Sequence, residues 1–190
     1  TWSNVTVGDT PTLTGFSPYQ WNAVSLHAKL FIAYDSAVDR LHVATGTGAT
    51  TLRKVGLAAP SAAPTAADTV GAGTFAGTRY YRVREVELSG TTVLRRSEPS
   101  AVLTKAPSGV NIGLTITKPA DGGEGATHWE LEASQDNLTF YRLARTLVAT
   151  ATVADTTDVI TGYSSYTLSE DIEDYALIPS VRYLVADEDR

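Results

Sequence analysis

The sequence predicts an all-β chain, an antiparallel β-sandwich flanked by a small β-meander and an irregular C-terminal segment. Three observations carry this. No stretch holds apolar residues at i, i+3, i+4 and i+7 for three turns without glycine, proline or threonine breaking it. Apolar alternation recurs every 8–12 residues between turn signals, the spacing of a sandwich or barrel. Charged residues are only 19% of the chain, and threonine and serine carry much of the polar content. Threonine is β-branched and suits a half-exposed pleated surface.

Residues 1–56 read as a three-stranded meander with an N-terminal arm. Leu30, Ile32 and Tyr34 alternate, then Leu41 and Val43, then Leu52 and Val55, with turns at Asp35-Ser36-Ala37 and Thr45-Gly46-Thr47-Gly48. A unit this small has a marginal core of its own. Residues 57–77 read as a linker. Pro60 and Pro64 remove hydrogen-bond donors and favour extended backbone, and Gly71, Gly73 and Gly77 add flexibility before the next strand.

Residues 78–158 hold the densest strand signal. Tyr81 and Val83 alternate, but Val86 and Leu88 continue on the opposite parity, so a bulge is expected near Arg84-Glu85. Ser89-Gly90 turns the chain, and the strand after it is interrupted by Pro99. Ile112, Leu114 and Ile116 give the clearest alternation. Trp129, Leu131 and Ala133 form another apolar face, with Glu130 and Glu132 facing outward. Tyr141 and Leu143, then Ala151 and Val153, complete six or seven strands, the count of a small two-sheet sandwich. Residues 159–190 read as a connection and one strand, Val181–Val185, leading to a further domain.

The formal net charge is −6, with acids gathered at Glu170, Asp171, Glu173, Asp174, Asp187, Glu188 and Asp189. That balance argues against nucleic acid and anionic membrane as partners, since both need clustered Lys and Arg. Without cysteine there is no disulfide, thiolate metal site or cysteine nucleophile. No run of about 18 apolar residues is present. The chain opens on Thr1-Trp2 and contains no methionine, so a processed product of a longer parent is expected.

No constellation asks to be read as a catalytic, cofactor or metal site. His27, His42 and His128 stand far apart without partners at ligand spacing. Gly46–Thr50 lacks the lysine of a phosphate loop and no helix signal comes after it. Glu85/Glu87 and Glu130/Glu132 are i, i+2 pairs, a spacing compatible with paired-carboxylate chemistry. They also occupy ordinary outward positions of half-buried strands, where Arg82, Arg84, Arg142 and Arg145 can pair with them on an exposed face. Trp2, Tyr19, Trp21, Tyr163 and Tyr166 sit in poorly patterned segments. They are the candidate interface residues, with capping of small cores and stacking on sugars as the other readings.

Two motifs carry a resemblance. Tyr80-Tyr81-Arg82-Val83-Arg84 followed by Ser97-Glu98-Pro99-Ser100 resembles a fibronectin type III domain, where such a strand and run lead into the last strand. Here that pair comes first and the Trp129 and Tyr141-Arg142 strands come after it, so the order is rotated. The sandwich is accordingly expected to be fibronectin/immunoglobulin-like. Over residues 28–158 the layout resembles structural proteins of tailed bacteriophages. It carries Asp39–Val43, Leu52–Pro60, the Tyr-Tyr-Arg-Val-Arg strand, His128–Ser134 and Phe140–Leu143 in that order. This implies a virion component of the tail, neck or fibre-attachment region, homo-oligomeric in its assembly. Its partners would be copies of itself and other virion proteins, and it would have no catalytic residues. A bacterial cell-surface adhesion or carbohydrate-binding module, or an accessory domain of a larger hydrolase, are the alternatives.

Overall fold

The computed structural model describes residues 6–7, 22–26, 29–33, 40–45, 51–70, 77–106, 108–109, 112–157 and 162–169. They are all-β, without a helix among the described residues. They divide into two compact units. One is formed by residues 1–57 with Gly123–Gly125 and residues 177–190, the other by residues 58–122 and 126–176.

The first unit is a five-stranded sheet. Strands β2 (Asn22–Leu26), β3 (Lys29–Ala33), β4 (His42–Thr45) and β5 (Thr51–Lys54) form an antiparallel meander, and β1 (Thr6–Val7) adds in parallel to β5. The expected meander is therefore present and carries two further strands. Its core is Ile32, Ala44 and Leu52, with Ala23 and Leu30 against them. Ala44, not Val43, faces that core, because Leu30 pairs with Ala44 and Ile32 with His42. His42 is consequently buried completely. In the same unit Glu124 lies beside Arg40 and Lys54. The Gly46–Gly48 turn and His27 lie outside the described residues.

The second unit is a two-sheet sandwich. Its small sheet has the order β13 (Thr152–Asp155), β10 (Ile112–Thr117), β6 (Thr65–Val70), all antiparallel. Its large sheet has the order β14 (Thr167–Leu168), β12 (Tyr141–Leu147), β11 (His128–Ser134), β7 (Arg79–Ser89), β8 (Thr92–Arg96). The short β9 (Leu103–Lys105) pairs with the start of β7.

One core joins the two sheets. Tyr81, Val83, Trp129, Leu131 and Ala133 come from the large sheet, and Ile112, Leu114 and Ile116 from the small one. Each is the inward half of an alternating strand. Burying a side chain such as Leu131, fully shielded here, contributes about 1.5–3 kcal/mol. Trp129 also satisfies its indole N–H, which donates to the Thr150 carbonyl at 2.8 Å.

The Ser97–Ser100 run has a definite task. Ser97 N donates to Glu85 O at 2.9 Å and Ser100 N to Val83 O at 2.8 Å. In return Ser97 Oγ accepts from Glu85 N at 2.9 Å and Ser100 Oγ from Val83 N at 3.0 Å. The two serines thus replace a strand along the edge of β7 between β8 and β9. Pro99, which has no N–H to give, can stand between them.

Three sequence expectations need correction. Residues 57–77 are not simply a linker, since Thr65–Val70 form β6 and pair along the whole length of β10. Alanine is a weak strand former, and here the ladder to β10 decides. Both prolines precede the strand, the position that tolerates a missing donor. The sandwich does not end at residue 158 either. Tyr163 packs in its core and Thr167–Leu168 pair with β12. The expected strand Val181–Val185 lies outside the described residues. Finally, β7 pairs with β11 without interruption from Tyr80 to Val86. The irregularity lies on the other side, where β8 fits the extra residue Leu94 between partners of Glu87 and Leu88.

Continuous pairing turns Glu85 to the Trp129 face, where it is 4% exposed. Its Oε1 accepts from Gly122 N at 2.8 Å, while Oε2 is buried without a hydrogen-bond partner. Burial raises its pKa, helped by Asp121 and opposed by the Gly122 N–H and Lys118. A raised folded pKa means that neutral Glu85 is tolerated and its ionisation costs stability as pH rises. Between pH 4 and pH 7 the stability of Glu85→Gln relative to wild type should therefore improve by about 1 kcal/mol, the scale of an unsatisfied buried polar group. Urea unfolding at the two pH values measures this. A difference that does not change with pH would show that Glu85 carries no such penalty.

Candidate functional site: a buried arginine–glutamate lattice

The face of the large sheet opposite the core carries charge. Pairing in register places Arg84 opposite Glu130, and Arg82 opposite Glu132, between β7 and β11. On the other side of β11, Glu132 meets Arg142 and Glu130 meets Arg145. Arg142 and Arg145 are three residues apart, so a regular strand would send them to opposite faces. The ladder shifts between Leu131 and Glu132, which leaves Leu143 as an extra residue in β12. That bulge brings both arginines to the carboxylates.

The contacts are dense. Glu130 Oε2 accepts from Arg96 Nε at 2.7 Å. Its Oε1 accepts from Arg145 Nε at 2.7 Å and Arg142 Nη1 at 3.2 Å. Glu132 Oε1 accepts from Arg84 Nε and Arg96 Nη2, both at 2.9 Å, and from Ser169 Oγ. Glu132 Oε2 accepts from Arg82 Nε at 2.5 Å. The Arg82 guanidinium lies 4.0 Å from the Phe140 ring centroid, a cation–π arrangement.

The expected charge ladder is therefore present, but not on an exposed face. Glu130 and Glu132 are 0% exposed, and Arg84 and Arg96 are buried with them. Burial alone would raise the pKa of Glu130. Arg96 and Arg145 outweigh it and hold the carboxyl below its ordinary value. For Arg84 burial prevails and lowers the pKa, although Glu132 opposes it. The sequence pattern does not single out Arg96, whose register position opposite Val86 puts it on the lattice face. The pattern also groups Glu87 with Glu85 as an outward pair. Glu87 instead pairs with Arg95 at 2.5 Å and is buried.

A second polar cluster lies within the sandwich. Asp155 Oδ2 accepts from Tyr81 Oη at 2.8 Å and from Tyr163 Oη at 2.5 Å, and its Oδ1 accepts from Thr157 N at 2.9 Å. Arg79 stands 5.2 Å from the Tyr163 ring centroid. Burial, and then the Asp155 charge, push both phenols upward in pKa, so each remains a protonated donor.

Of the candidate interface residues, Tyr163 is a correction, because it is 2% exposed and belongs to the core. The hydroxyl explains why an aromatic in a poorly patterned segment goes inside, since Asp155 supplies its partner. Tyr166 is exposed, with its ring 6.4 Å from that of Tyr163. Trp2, Tyr19 and Trp21 lie outside the described residues. Among the described residues no group of three or more His, Asp or Glu could hold a metal ion.

Chemically the lattice is a clamp. Each carboxylate is buried and held by guanidinium donors from neighbouring strands, with the Ser169 hydroxyl added at Glu132, which ties β7, β8, β11 and β12 together. No protein family matches the chain, and no curated protein or solved structure does so either.

Proposed function

We propose that the chain is a structural component of a phage virion, in the tail, neck or fibre-attachment region, acting through protein–protein assembly contacts. The observation that carries this reading is the occupancy of the lattice. The carboxylate pair that would be the first choice for acid–base chemistry is buried and saturated by arginines, and so serves rigidity.

Two further features support it. The Tyr80–Arg84 strand and the Ser97–Ser100 run remain neighbours in the sheet, and the Trp129 strand flanks the first on its other side. That arrangement is compatible with the rotated fibronectin-like reading. The outer strands β6 and β14 also leave apolar residues in solvent, with Val70 83% and Leu168 53% exposed. Outer strands that expose apolar side chains are a liability unless an assembly covers them.

Light scattering on the full chain, followed by electron microscopy, tests the proposal. A ring or an array of identical copies is the expected result. A chain that stays monomeric at high concentration overturns it, and glycan binding by that monomer would favour the adhesion module.

A further inference from the structure

Arg142 and Arg145 stand apart from the rest of the lattice. Both rest on a single atom, Glu130 Oε1, through Arg142 Nη1 at 3.2 Å and Arg145 Nη2 at 2.5 Å. The other oxygen of that carboxylate is taken by Arg96. Among the described residues neither guanidinium has a hydrogen bond or ion pair to any group other than Glu130, and the two side chains are 31% and 26% exposed. One carboxylate oxygen cannot neutralise two guanidiniums. A guanidinium offers five N–H donors, and the weak Arg142 contact engages one of them. The Leu143 bulge thus presents two adjacent, partly solvated cations at the sheet surface of a chain whose net charge is −6.

Such a pair suits planar, bidentate recognition of carboxylates. The chain contains a matching ligand in Glu170-Asp171-Ile172-Glu173-Asp174. These five lie outside the described residues, but their attachment point does not. Leu168 sits opposite Tyr141, and Ser169 N donates to Phe140 O at 2.8 Å. The chain therefore reaches Ser169 while travelling from Arg142 toward Phe140, away from Arg145. Ser169 Oγ also donates to Glu132 Oε1, which lies opposite Arg142, so the experiment has to tell the run of the same copy from that of a second copy.

We propose that Arg142 and Arg145 form a carboxylate-binding site, and that its occupant is the acidic run 170–174 of a second copy of this chain. The choice of a second copy rests on the assembly reading above. The site itself does not.

The test is therefore designed to work on a monomer. A synthetic peptide spanning residues 168–176 is titrated into the full chain at low salt by calorimetry. Binding is expected, weakened about tenfold by Arg142→Gln, the scale of one lost charge-assisted hydrogen bond, and lost at about 0.5 M salt. Because Arg142 holds the buried Glu130 carboxylate through one longer contact, at 3.2 Å against 2.5 Å for Arg145, Arg142→Gln is the cleaner probe. A peptide with its four acids replaced by Gln and Asn should not bind.

Absence of binding, or equal binding to wild type and Arg142→Gln, overturns the site. Binding seen only when the receptor's own acidic run is neutralised assigns the occupant to the same copy and overturns the second-copy proposal. Light scattering of the Arg142→Gln chain separates the two readings. A chain that still assembles while losing the peptide leaves the assembly proposal standing and rejects this contact as its basis.

Discussion

Replacing Glu132 with glutamine should destabilise the sandwich by about 3–5 kcal/mol, the usual cost of removing one partner from a buried ion pair. The side chain keeps its size, so the loss is one of charge. Arg84 and Arg96 are buried with it, their side chains 3% and 4% exposed, and both would keep a desolvated positive charge beside a neutral amide. The midpoint of urea unfolding measures the effect. Glu98→Gln is the matched control, because Glu98 is 53% exposed and reaches Arg84 only at 4.0 Å. Its loss should change stability by less than about 0.5 kcal/mol. Equal effects at the two positions would mean that the lattice contributes no more than a surface pair.

Acid acts at the same place. The folded pKa of Glu130 is held below the ordinary value. The stability it supplies is therefore present above the unfolded carboxylate pKa of about 4.3, and is lost as pH falls through the lower folded value. Glu85 has the opposite sign, its raised pKa making ionisation the costly state. Near pH 4 these two groups act in opposite directions, and the Glu85→Gln variant removes the opposing one.

Asp155→Ala should cost about 3 kcal/mol. The substitution removes the acceptor of two buried phenols and of the Thr157 amide at once, and each polar group left unsatisfied costs about 1–3 kcal/mol. The loss stays below the sum because the phenols can turn to each other, their oxygens being 3.3 Å apart. Tyr163→Phe removes one donor and keeps the ring over which Arg79 stands. It should cost about 1 kcal/mol. Combining Tyr163→Phe with Asp155→Ala should add little to Asp155→Ala alone. Thermal unfolding of the three variants checks this, and full additivity would show that the groups do not act as a unit.

Much of the sandwich is legible in the sequence because its alternation is strict. Ile112, Leu114 and Ile116, and Trp129, Leu131 and Ala133, read inward and lie inward. β6 is hidden because its signal is not local. Alanine and threonine in Thr65–Val70 become a strand only when β10 supplies the ladder, and residues about 45 positions apart do not announce that pairing. Depth on the second face is hidden for a related reason. Charges on alternating outward positions normally mean solvent. Whether arginines from three neighbouring strands enclose a glutamate depends on the register of every strand involved. Arg96 and the Leu143 bulge are consequences of register, not of composition. Tyr163 misleads because it sits in a turn and its acceptor, Asp155, lies at the end of β13.

The two bulges bear on how this chain can change over time. Leu94 in β8 and Leu143 in β12 each exceed by one the residues their partner strands need. Removing a residue from a strand ordinarily reverses the facing of everything beyond it. Here, loss of Leu94 or Leu143 would restore simple alternation and leave Arg95, Arg96, Arg142 and Arg145 pointing as they do now. These two positions are places where the gene can shorten by one codon without scrambling the sheet, whereas a codon lost at Leu131 would turn the glutamate face inside out.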